Sequence, residues 1–319
     1  MKVVFMGTPE FAVPSLCSLA TSTHEIVAVV TQPDRPKGRS KIPSHSPVKK
    51  KALELEFNVL QPANVNDELV VKQLQDLSPE CIVVVAFGQF LSNAVLLLPQ
   101  YRCLNIHASL LPKYRGAAPI NWAIMQGETV TGVTAVIMTV RMDAGDIVAQ
   151  KTTPLSPDEN AGELEKRLSA MGAELLIDTL HLVETRKATY TKQDENGVSF
   201  APKLKKEQGL ILWSQETQKI HNQVRGMTPS PGAYTYFLKN DPKEKVRIII
   251  QKTQIHNAPK TKLFCTPGMI DEIMPCGIHV ATMDGTICIT QLQPEGKRVM
   301  NAQEYLRGHK MIVGNMFVS

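Results

Sequence analysis

The chain has 319 residues, of which 43% are apolar and 20% are charged, and its formal net charge is +5 at pH 7. The length suits two domains, and the composition is ordinary for a soluble globular protein. No apolar run reaches the ~20 residues that span a bilayer, and the apolar run at residues 2–6 is too short for a secretory signal.

The six cysteines are scattered and none lies in a C-x-x-C pair. This spacing suggests neither a zinc site nor a disulfide framework. Free thiols in a reducing compartment are the simplest interpretation. We therefore expect a cytoplasmic protein without a membrane partner.

Positive charge is concentrated in the last third of the chain. Residues 205–319 contain 15 Lys or Arg and 9 Asp or Glu, whereas the first 204 residues contain 20 and 21. A basic module next to a near-neutral one suggests a polyanionic partner. The same excess can also serve solubility alone.

The first half alternates between strand-like and helical patterns. Residues 2–6, 26–30 and 81–86 are short apolar runs, and helices are predicted at residues 10–20 and 66–77, with Asn66 as the N-cap. This alternation predicts βαβ units and an α/β domain with a Rossmann-like, mostly parallel sheet. The first turn has Gly7 but no G-x-G-x-x-G pattern, so NAD or FAD is not inferred.

Residues 33–51 form a basic segment with seven Lys or Arg and one acid. Its glycine and prolines argue against a regular element. Taken alone, the pattern is typical of a solvated loop.

Residues 105–119 carry the chemistry-bearing pattern, NIHASLLPKYRGAAP. Asn105 and His107 are two apart at the end of an apolar run, so on a strand they face the same way. An amide and an imidazole at a sheet edge, joined by one carboxylate, form a set suited to acyl-type chemistry. Asp143 and its competitor Asp146, after a predicted strand at 134–140, are the candidate carboxylates.

The second half changes character after a long helix predicted at residues 161–182. Residues 189–207 are polar, with Gly197 and Pro202, and are predicted to be a surface linker between domains at 1–188 and 208–319. Short β-rich runs at 246–250, 278–281 and 286–290 then predict a small β-barrel of the oligonucleotide-binding (OB-like) kind.

The pattern at 105–119, with Asp143-Ala144-Gly145 after it, resembles the signature of the folate-dependent formyltransferases. Residues 2–12, 31–36 and 292–297 match the branch of that family that acts on methionyl-tRNA. The resemblance implies transfer of the formyl group of 10-formyltetrahydrofolate to the α-amino group of methionine carried by initiator tRNA. It implies no metal, and no H-E-x-x-H spacing is present.

The resemblance also implies roles for individual residues. Asn105 and His107 would bind the oxyanion of the tetrahedral intermediate, and Asp143 would be the third catalytic residue. The expected folate contacts are Ala86, Phe87, Gly88, Gln89, Ser109, Leu110, Leu111, Pro112, Arg141 and Met142. Together with the charge pattern, the resemblance makes the following residues candidates for tRNA contact: Arg35, Lys37, Arg39, Lys41, Lys113, Arg115, Lys243, Lys245, Arg247, Lys297 and Arg298.

Two other functions are compatible with parts of the pattern. The first is a formyltransferase acting on an amino sugar nucleotide or a small amine, against which the basic segment and basic last third argue. The second is a non-catalytic RNA-binding protein on an inactive formyltransferase fold, against which the presence of Asn105, His107 and Asp143 argues. A monomer is expected, although the sequence offers no firm basis for an oligomeric state.

Overall fold

The computed structural model describes residues 1–36, 43–238, 245–255 and 266–319, which divide into two units. Unit 1 consists of Met1–Pro119, Val130–Pro154 and Glu165–Pro202, and unit 2 consists of Ile120–Thr129, Leu155–Leu164 and Lys203–Ser319. Among the described residues, the structure contains no helix with the length and apolar character that crossing a bilayer requires.

The apolar runs of the first half become strands of a seven-stranded sheet in unit 1. The strands of this unit are β1 (Lys2–Gly7), β2 (Glu25–Val30), β3 (Arg35–Pro36), β4 (Pro43–Ser44), β5 (Val59–Leu60), β6 (Cys81–Val85), β7 (Cys103–His107), β8 (Val130–Ile137) and β9 (Ile147–Pro154). The sheet order is β5-β2-β1-β6-β7-β8-β9, and β3 pairs with β4.

Strands from β5 to β7 in this order run parallel, and β8 and β9 add an antiparallel edge. Every residue of β6 is buried, as is typical of a strand covered on both faces. The predicted Rossmann-like, mostly parallel sheet is therefore confirmed. Asn105 and His107 lie on β7, where the parallel part of the sheet meets the antiparallel edge.

The helices predicted at residues 10–20, 66–77 and 161–182 are present with shifted ends, and further helices occur in both units. They are α1 (Val13–Ala20), α2 (Pro47–Glu54), α3 (Glu68–Asp76), α4 (Asn93–Leu96), α5 (Pro119–Met125), α6 (Ala161–Glu184), α7 (Thr217–Met227) and α8 (Ala302–Gly308). The N-cap position of α3 is Asp67, one residue after the expected Asn66. The side chain of Asn66 instead donates to the carbonyl of Phe90.

The basic segment is more regular than its composition predicts, because α2 begins within it. Ser46 caps this helix through its hydroxyl, which accepts a hydrogen bond from the backbone N–H of Lys49 at 3.0 Å. Pro47 follows as the first helical residue, where a missing N–H costs nothing. The prediction of no regular element was therefore wrong for residues 47–51.

Unit 2 is built around an antiparallel sheet. Its strands are β10 (Ala233–Leu238), β11 (Lys245–Ile255), β12 (Ile270–Met274), β13 (Gly277–Ala281), β14 (Thr286–Pro294), β15 (Met300–Asn301) and β16 (Phe317–Val318). The order is β12-β13-β14-β11-β10-β16, with β15 beside β14.

The two ends of this sheet are joined by backbone hydrogen bonds. The N–H of Ile270 donates to the carbonyl of Asn315 at 2.8 Å, and the N–H of Phe317 donates to the carbonyl of Gly268 at 2.8 Å. These bonds connect the start of β12 to the segment leading into β16, so the sheet closes on itself. This arrangement is compatible with the predicted barrel, and its OB-like character stays a prediction.

Candidate active site

His107 and Asp143, 36 residues apart in sequence, meet at the end of β7. His107 is 6% exposed. Its Nε2 lies 2.9 Å from the carbonyl oxygen of Tyr114, and its Nδ1 lies 3.6 Å from Oδ2 of Asp143. Because a carbonyl only accepts, Nε2 carries a proton and donates it to Tyr114. Nδ1 is therefore the nitrogen that faces the carboxylate.

This geometry limits the expected role of His107. The sequence suggests that the imidazole donates directly to an oxyanion, but Nε2 already donates to the carbonyl of Tyr114. Only Nδ1 remains, and it faces Asp143. The imidazole can carry a positive charge beside the carboxylate, and the two groups can share a proton.

Asp143 is held by backbone geometry as well as by His107. Its own φ is +50°, and its Oδ2 accepts a hydrogen bond from the N–H of Gly116 at 2.9 Å. Gly116 has a φ of +125°, and a Cβ there would lie 2.8 Å from the carbonyl oxygen of Ala201. Glycine is therefore required where the loop after β7 approaches the carboxylate.

Asn105 precedes His107 by two residues and shares its face of β7. Its neighbours across the sheet are Val84 on β6 and Val136 on β8. The side chain is half-buried and forms no hydrogen bond with another residue in the described ranges. Its two amide N–H groups are therefore available to an oxygen atom at this sheet edge.

The Ser-Leu-Leu-Pro loop is fixed by polar side chains from β8 and β9. The hydroxyl of Thr134 donates to the backbone carbonyl of Ser109 at 2.6 Å and accepts from the N–H of Leu111 at 3.1 Å. The amide of Gln150 donates to the carbonyl of Leu111 at 2.9 Å and to the Thr134 hydroxyl at 2.9 Å. The loop thus presents a preorganised backbone, which is the property a ring-binding slot needs.

Residues 191–201, here called the strap, belong to unit 1 rather than to a free linker. The hydroxyl of Ser199 accepts from the N–H of Tyr114 at 2.9 Å, and the N–H of Ala201 donates to Arg115 at 2.7 Å. The predicted surface linker is therefore ordered against the loop after β7 up to Pro202. Composition suggested a linker because the strap is polar, yet its backbone groups are paired with that loop.

Gln193 of the strap connects two loops of the site. Its Oε1 accepts from the guanidinium of Arg115 at 2.8 and 3.0 Å. Its Nε2 donates to the carbonyls of Asp143 at 2.8 Å and Gly145 at 2.7 Å. Sequence reasoning missed this residue, because a lone glutamine in a polar stretch carries no pattern.

Arg115 requires a correction. It was expected to contact tRNA, but it is only 3% exposed. Its guanidinium is bonded to Gln193 and lies 3.5 Å from Glu195. The side chain therefore braces the strap and leaves almost no surface for a phosphate to contact.

The other candidate folate contacts differ in exposure. Ala86 and Gly88 are exposed and have positive φ, whereas Phe87 is buried in the core of unit 1. Gln89 is bonded to the backbone of residues 62 and 65. The turn after β6 therefore presents backbone and small side chains, and the Phe87 side chain packs in the core.

Arg141 and Met142 lie in the loop before Asp143 and are exposed. The guanidinium of Arg141 is 3.6 Å from Glu195 of the strap. Both side chains are thus accessible beside the His107–Asp143 pair.

The candidate tRNA contacts fall into three groups. Lys37, Arg39, Lys41 and Lys243 lie outside the described residues. In unit 1, Arg35 and Lys113 are exposed. In unit 2, the group consists of Lys245, Arg247, Lys297 and Arg298.

Two of the basic residues of unit 2 stack on tyrosines. The Nζ of Lys245 is 4.4 Å from the ring centre of Tyr236, and the guanidinium carbon of Arg247 is 4.0 Å from that of Tyr234. These cation–π contacts position the two side chains over the tyrosine rings of β10. Lys297 and Arg298 are exposed in the turn after β14, where Arg298 is paired with Glu304.

Comparisons with known proteins cover nearly the whole chain. The family model described as formyl transferase matches residues 1–180, and that described as formyl transferase, C-terminal domain, matches residues 203–310. A protein of Geotalea uraniireducens (strain Rf4) named methionyl-tRNA formyltransferase is 45% identical over 316 residues, which cover 99% of this chain and 97% of that protein.

Solved structures share the fold at lower identity. The N-formyltransferase of Helicobacter canadensis, in complex with folinic acid and dTDP-3-aminofucose, is 18% identical with a TM-score of 0.67, covering 92% of this chain and 99% of that one. HypX of Aquifex aeolicus, in complex with tetrahydrofolic acid, is 18% identical with a TM-score of 0.61 over 99% of this chain, which spans half of the HypX chain. At these identities the likeness concerns the fold alone.

Proposed function

This chain belongs to the formyl transferase family, and we propose that it transfers the formyl group of 10-formyltetrahydrofolate to the α-amino group of methionine on initiator tRNA. The observation that carries this function is the identity of 45% over 99% of the chain with a protein named methionyl-tRNA formyltransferase. Other proteins of that name are 43% and 44% identical over similar lengths. The same relationship makes the chain an enzyme with a folate co-substrate.

The residue roles that we propose rest on the geometry at the end of β7. As the amine adds to the formyl carbon, negative charge develops on the formyl oxygen, and the unpaired amide N–H groups of Asn105 are suited to bind it. Asp143 accepts the proton that the attacking nitrogen loses. His107, held by Tyr114 on one side and facing Asp143 on the other, carries the positive charge that stabilises the oxyanion. The proton then passes to the folate nitrogen as its bond to carbon breaks.

The folate donor would lie against two loops that border this site. The loop 109–112 is fixed by Thr134 and Gln150, and the turn 86–89 presents exposed backbone at Ala86 and Gly88. A rigid edge of backbone donors and acceptors suits a flat, hydrogen-bonding ring. Arg141 and Met142 would close the side next to Asp143.

We propose that tRNA is bound mainly through its phosphates. The exposed cations of unit 2 and the basic segment of unit 1 supply the positive charge. Action in the cytoplasm is part of the same proposal, since the substrate is a charged tRNA and the described cysteines are free thiols. We propose a monomer as well.

The experiment that tests this function measures labelled formyl transfer from the folate donor to charged initiator tRNA, with charged elongator tRNA as the control substrate. Strong preference for the initiator is expected. A competition series with amino sugar nucleotides and small amines tests the alternative acceptors, and formylation of those amines in preference to methionyl-tRNA would overturn the proposal. Absence of folate-dependent formyl transfer to any acceptor would point instead to a non-catalytic RNA-binding protein.

A further inference from the structure

Two cysteines and a histidine come together in unit 2, and none of them is a residue that the proposed reaction uses. Cys276 lies in the turn between β12 and β13, His279 lies on β13, and Cys288 lies on β14. The Sγ of Cys276 is 3.4 Å from Nε2 of His279 and 3.9 Å from the Sγ of Cys288. All three potential ligand atoms lie within 4.8 Å of one another.

The sheet register places these side chains side by side. His279 and Cys288 are directly opposite each other in the antiparallel β13–β14 pair, so both point to the same face. Cys276 reaches them because the turn bends close to β14 at Gly277. A Cβ on Gly277 would lie 2.2 Å from the carbonyl oxygen of Ile289 and 2.7 Å from the Sγ of Cys288.

Two of the three separations match those between ligands of a tetrahedral zinc ion. Bond lengths of about 2.3 Å to sulfur and about 2.0–2.1 Å to nitrogen place two sulfurs ~3.8 Å apart and a sulfur and nitrogen ~3.5 Å apart. The two separations that involve Cys276 are 3.9 and 3.4 Å. The third, between His279 and Cys288, is within 4.8 Å, so these two side chains approach each other when an ion binds.

We propose that Cys276, His279 and Cys288 form a binding site for a thiophilic metal cation, with Zn²⁺ as the expected ion. Cys288 and His279 are buried at 0% and 7% exposure, whereas Cys276 is exposed, so an ion can enter from solvent and reach the two inner ligands. Binding displaces one proton from each thiol, and a water molecule completes the fourth corner. The ion would tie the β12–β13 hairpin to β14.

The sequence alone does not predict this site, because its cysteines form no C-x-x-C pair. The ligands are instead spaced as C-x₂-H-x₈-C across a hairpin and its neighbouring strand. The site is separate from the proposed formyl transfer, since His107 and Asp143 belong to unit 1 and these residues belong to unit 2.

Cobalt provides a direct test, because Co²⁺ replaces Zn²⁺ and reports its ligands by its colour. The full-length protein, fully reduced and stripped of metal with a chelator, is titrated with Co²⁺ alone. We expect one Co²⁺ per chain, with a thiolate-to-cobalt charge-transfer band and the strong visible bands of a tetrahedral site. Zn²⁺ added afterwards should remove these bands, since it binds such sites more tightly than cobalt.

Variants identify the ligands. Cys276→Ser changes an exposed residue and should lower Co²⁺ affinity by at least ~10-fold, the loss that even an indirect partner of a metal ligand can cause. Cys288→Ala should lose the charge-transfer band to a similar extent, whereas Cys17→Ser in unit 1 should match the wild type. Zn²⁺ should raise the melting temperature of the wild type more than that of Cys276→Ser.

Two results would overturn the proposal. One is the absence of a thiolate-to-cobalt band in reduced wild-type protein. The other is a band that persists unchanged in both Cys276→Ser and Cys288→Ala. Both readouts are independent of formyl transfer, so a protein that binds the metal but fails to formylate tRNA would refute the proposed function and leave the metal site standing.

Discussion

At the scale of single residues, the proposed chemistry depends on which acid faces His107. Asp143 lies 3.6 Å from the imidazole and is anchored by the N–H of Gly116. Asp146, the competitor, uses its backbone carbonyl to accept from Ile137 in the sheet. We therefore propose Asp143 as the proton acceptor, and its role relative to Asp146 stays a prediction.

Exchanging the two acids tests this assignment. Asp143→Asn keeps the size of the side chain but removes its charge and basicity, so we expect formyl transfer to fall by at least ~100-fold, the lower end of what a general base contributes. Asp146→Asn should stay close to the wild-type rate. Turnover and circular dichroism on the same samples provide the measurement, and equal losses in the two variants would mean that the acids share the role.

Gln193 is the positioning residue that the structure adds. Its amide is the link between the Arg115 guanidinium and the backbone of the Asp143 loop. Gln193→Ala should lower kcat and change the pH profile of the rate, because Asp143 loses its fixed distance from His107. KM for tRNA should stay unchanged. Lys192→Ala, next to it and exposed, is the matched control, and an equal effect there would remove the case for Gln193.

At the scale of elements, loops rather than strands position the site. Residue Gly145 packs its Cα against the backbone at the end of β8, and a Cβ there would lie 1.7 Å from the carbonyl oxygen of Ile137. The loop that carries Asp143 is therefore docked on the sheet by close backbone contact. The Gly in the Asp-x-Gly pattern has a steric reason that the sequence alone did not reveal.

A pair of glycine substitutions tests this docking. Gly145→Ala must push β8 and the Asp143 loop apart, and overpacking of this kind costs about 1–3 kcal/mol. Gly308→Ala, in α8 with nothing within 4 Å of its new Cβ, should be neutral or stabilise by about 0.5–1 kcal/mol. Urea unfolding followed by circular dichroism measures both, and equal midpoints would contradict the steric argument.

At the scale of the whole molecule, positive charge is concentrated in the last third of the chain, whose Lys245 and Arg247 lie over tyrosine rings. Removing either cation should weaken tRNA binding and reduce the slope of log K against log salt by about one. The test is binding measured over a salt series with Lys245→Ala and Arg247→Ala, and the control is Lys187→Ala, which removes an exposed cation of unit 1 outside the candidate set. An unchanged slope in the first two would exclude these cations from the tRNA surface.

Stability should also fall as the pH drops, through a buried histidine of unit 2. Burial lowers the pKa of His221 below 6.5. Its Nε2 donates to the carbonyl of Pro157 and its Nδ1 accepts from the hydroxyl of Thr253, so the neutral ring is satisfied. The unfolded chain then binds more protons than the folded one between the lowered pKa and 6.5, and stability decreases as the pH falls through this window.

The measurement uses denaturant unfolding followed by tryptophan fluorescence at several pH values, since both tryptophans belong to unit 2. The pH dependence should be flatter in His221→Gln than in the wild type. His181→Gln, at an exposed position of α6, serves as control. A slope in His221→Gln equal to that of the wild type would contradict the argument.

The sequence by itself determined the alternation of strands and helices in the first half, the β-rich second half and the pattern of Asn105, His107 and Asp143. These features are local, because periodicity and turn chemistry act over a few residues. Only the tertiary structure decided that Nε2 of His107 donates to the carbonyl of Tyr114, that Arg115 is buried and that the polar strap is hydrogen-bonded to the loop after β7. It also decided that Cys276, His279 and Cys288 meet. Such contacts depend on sheet pairing and loop docking between segments that are distant in sequence, so composition and local patterns do not predict them.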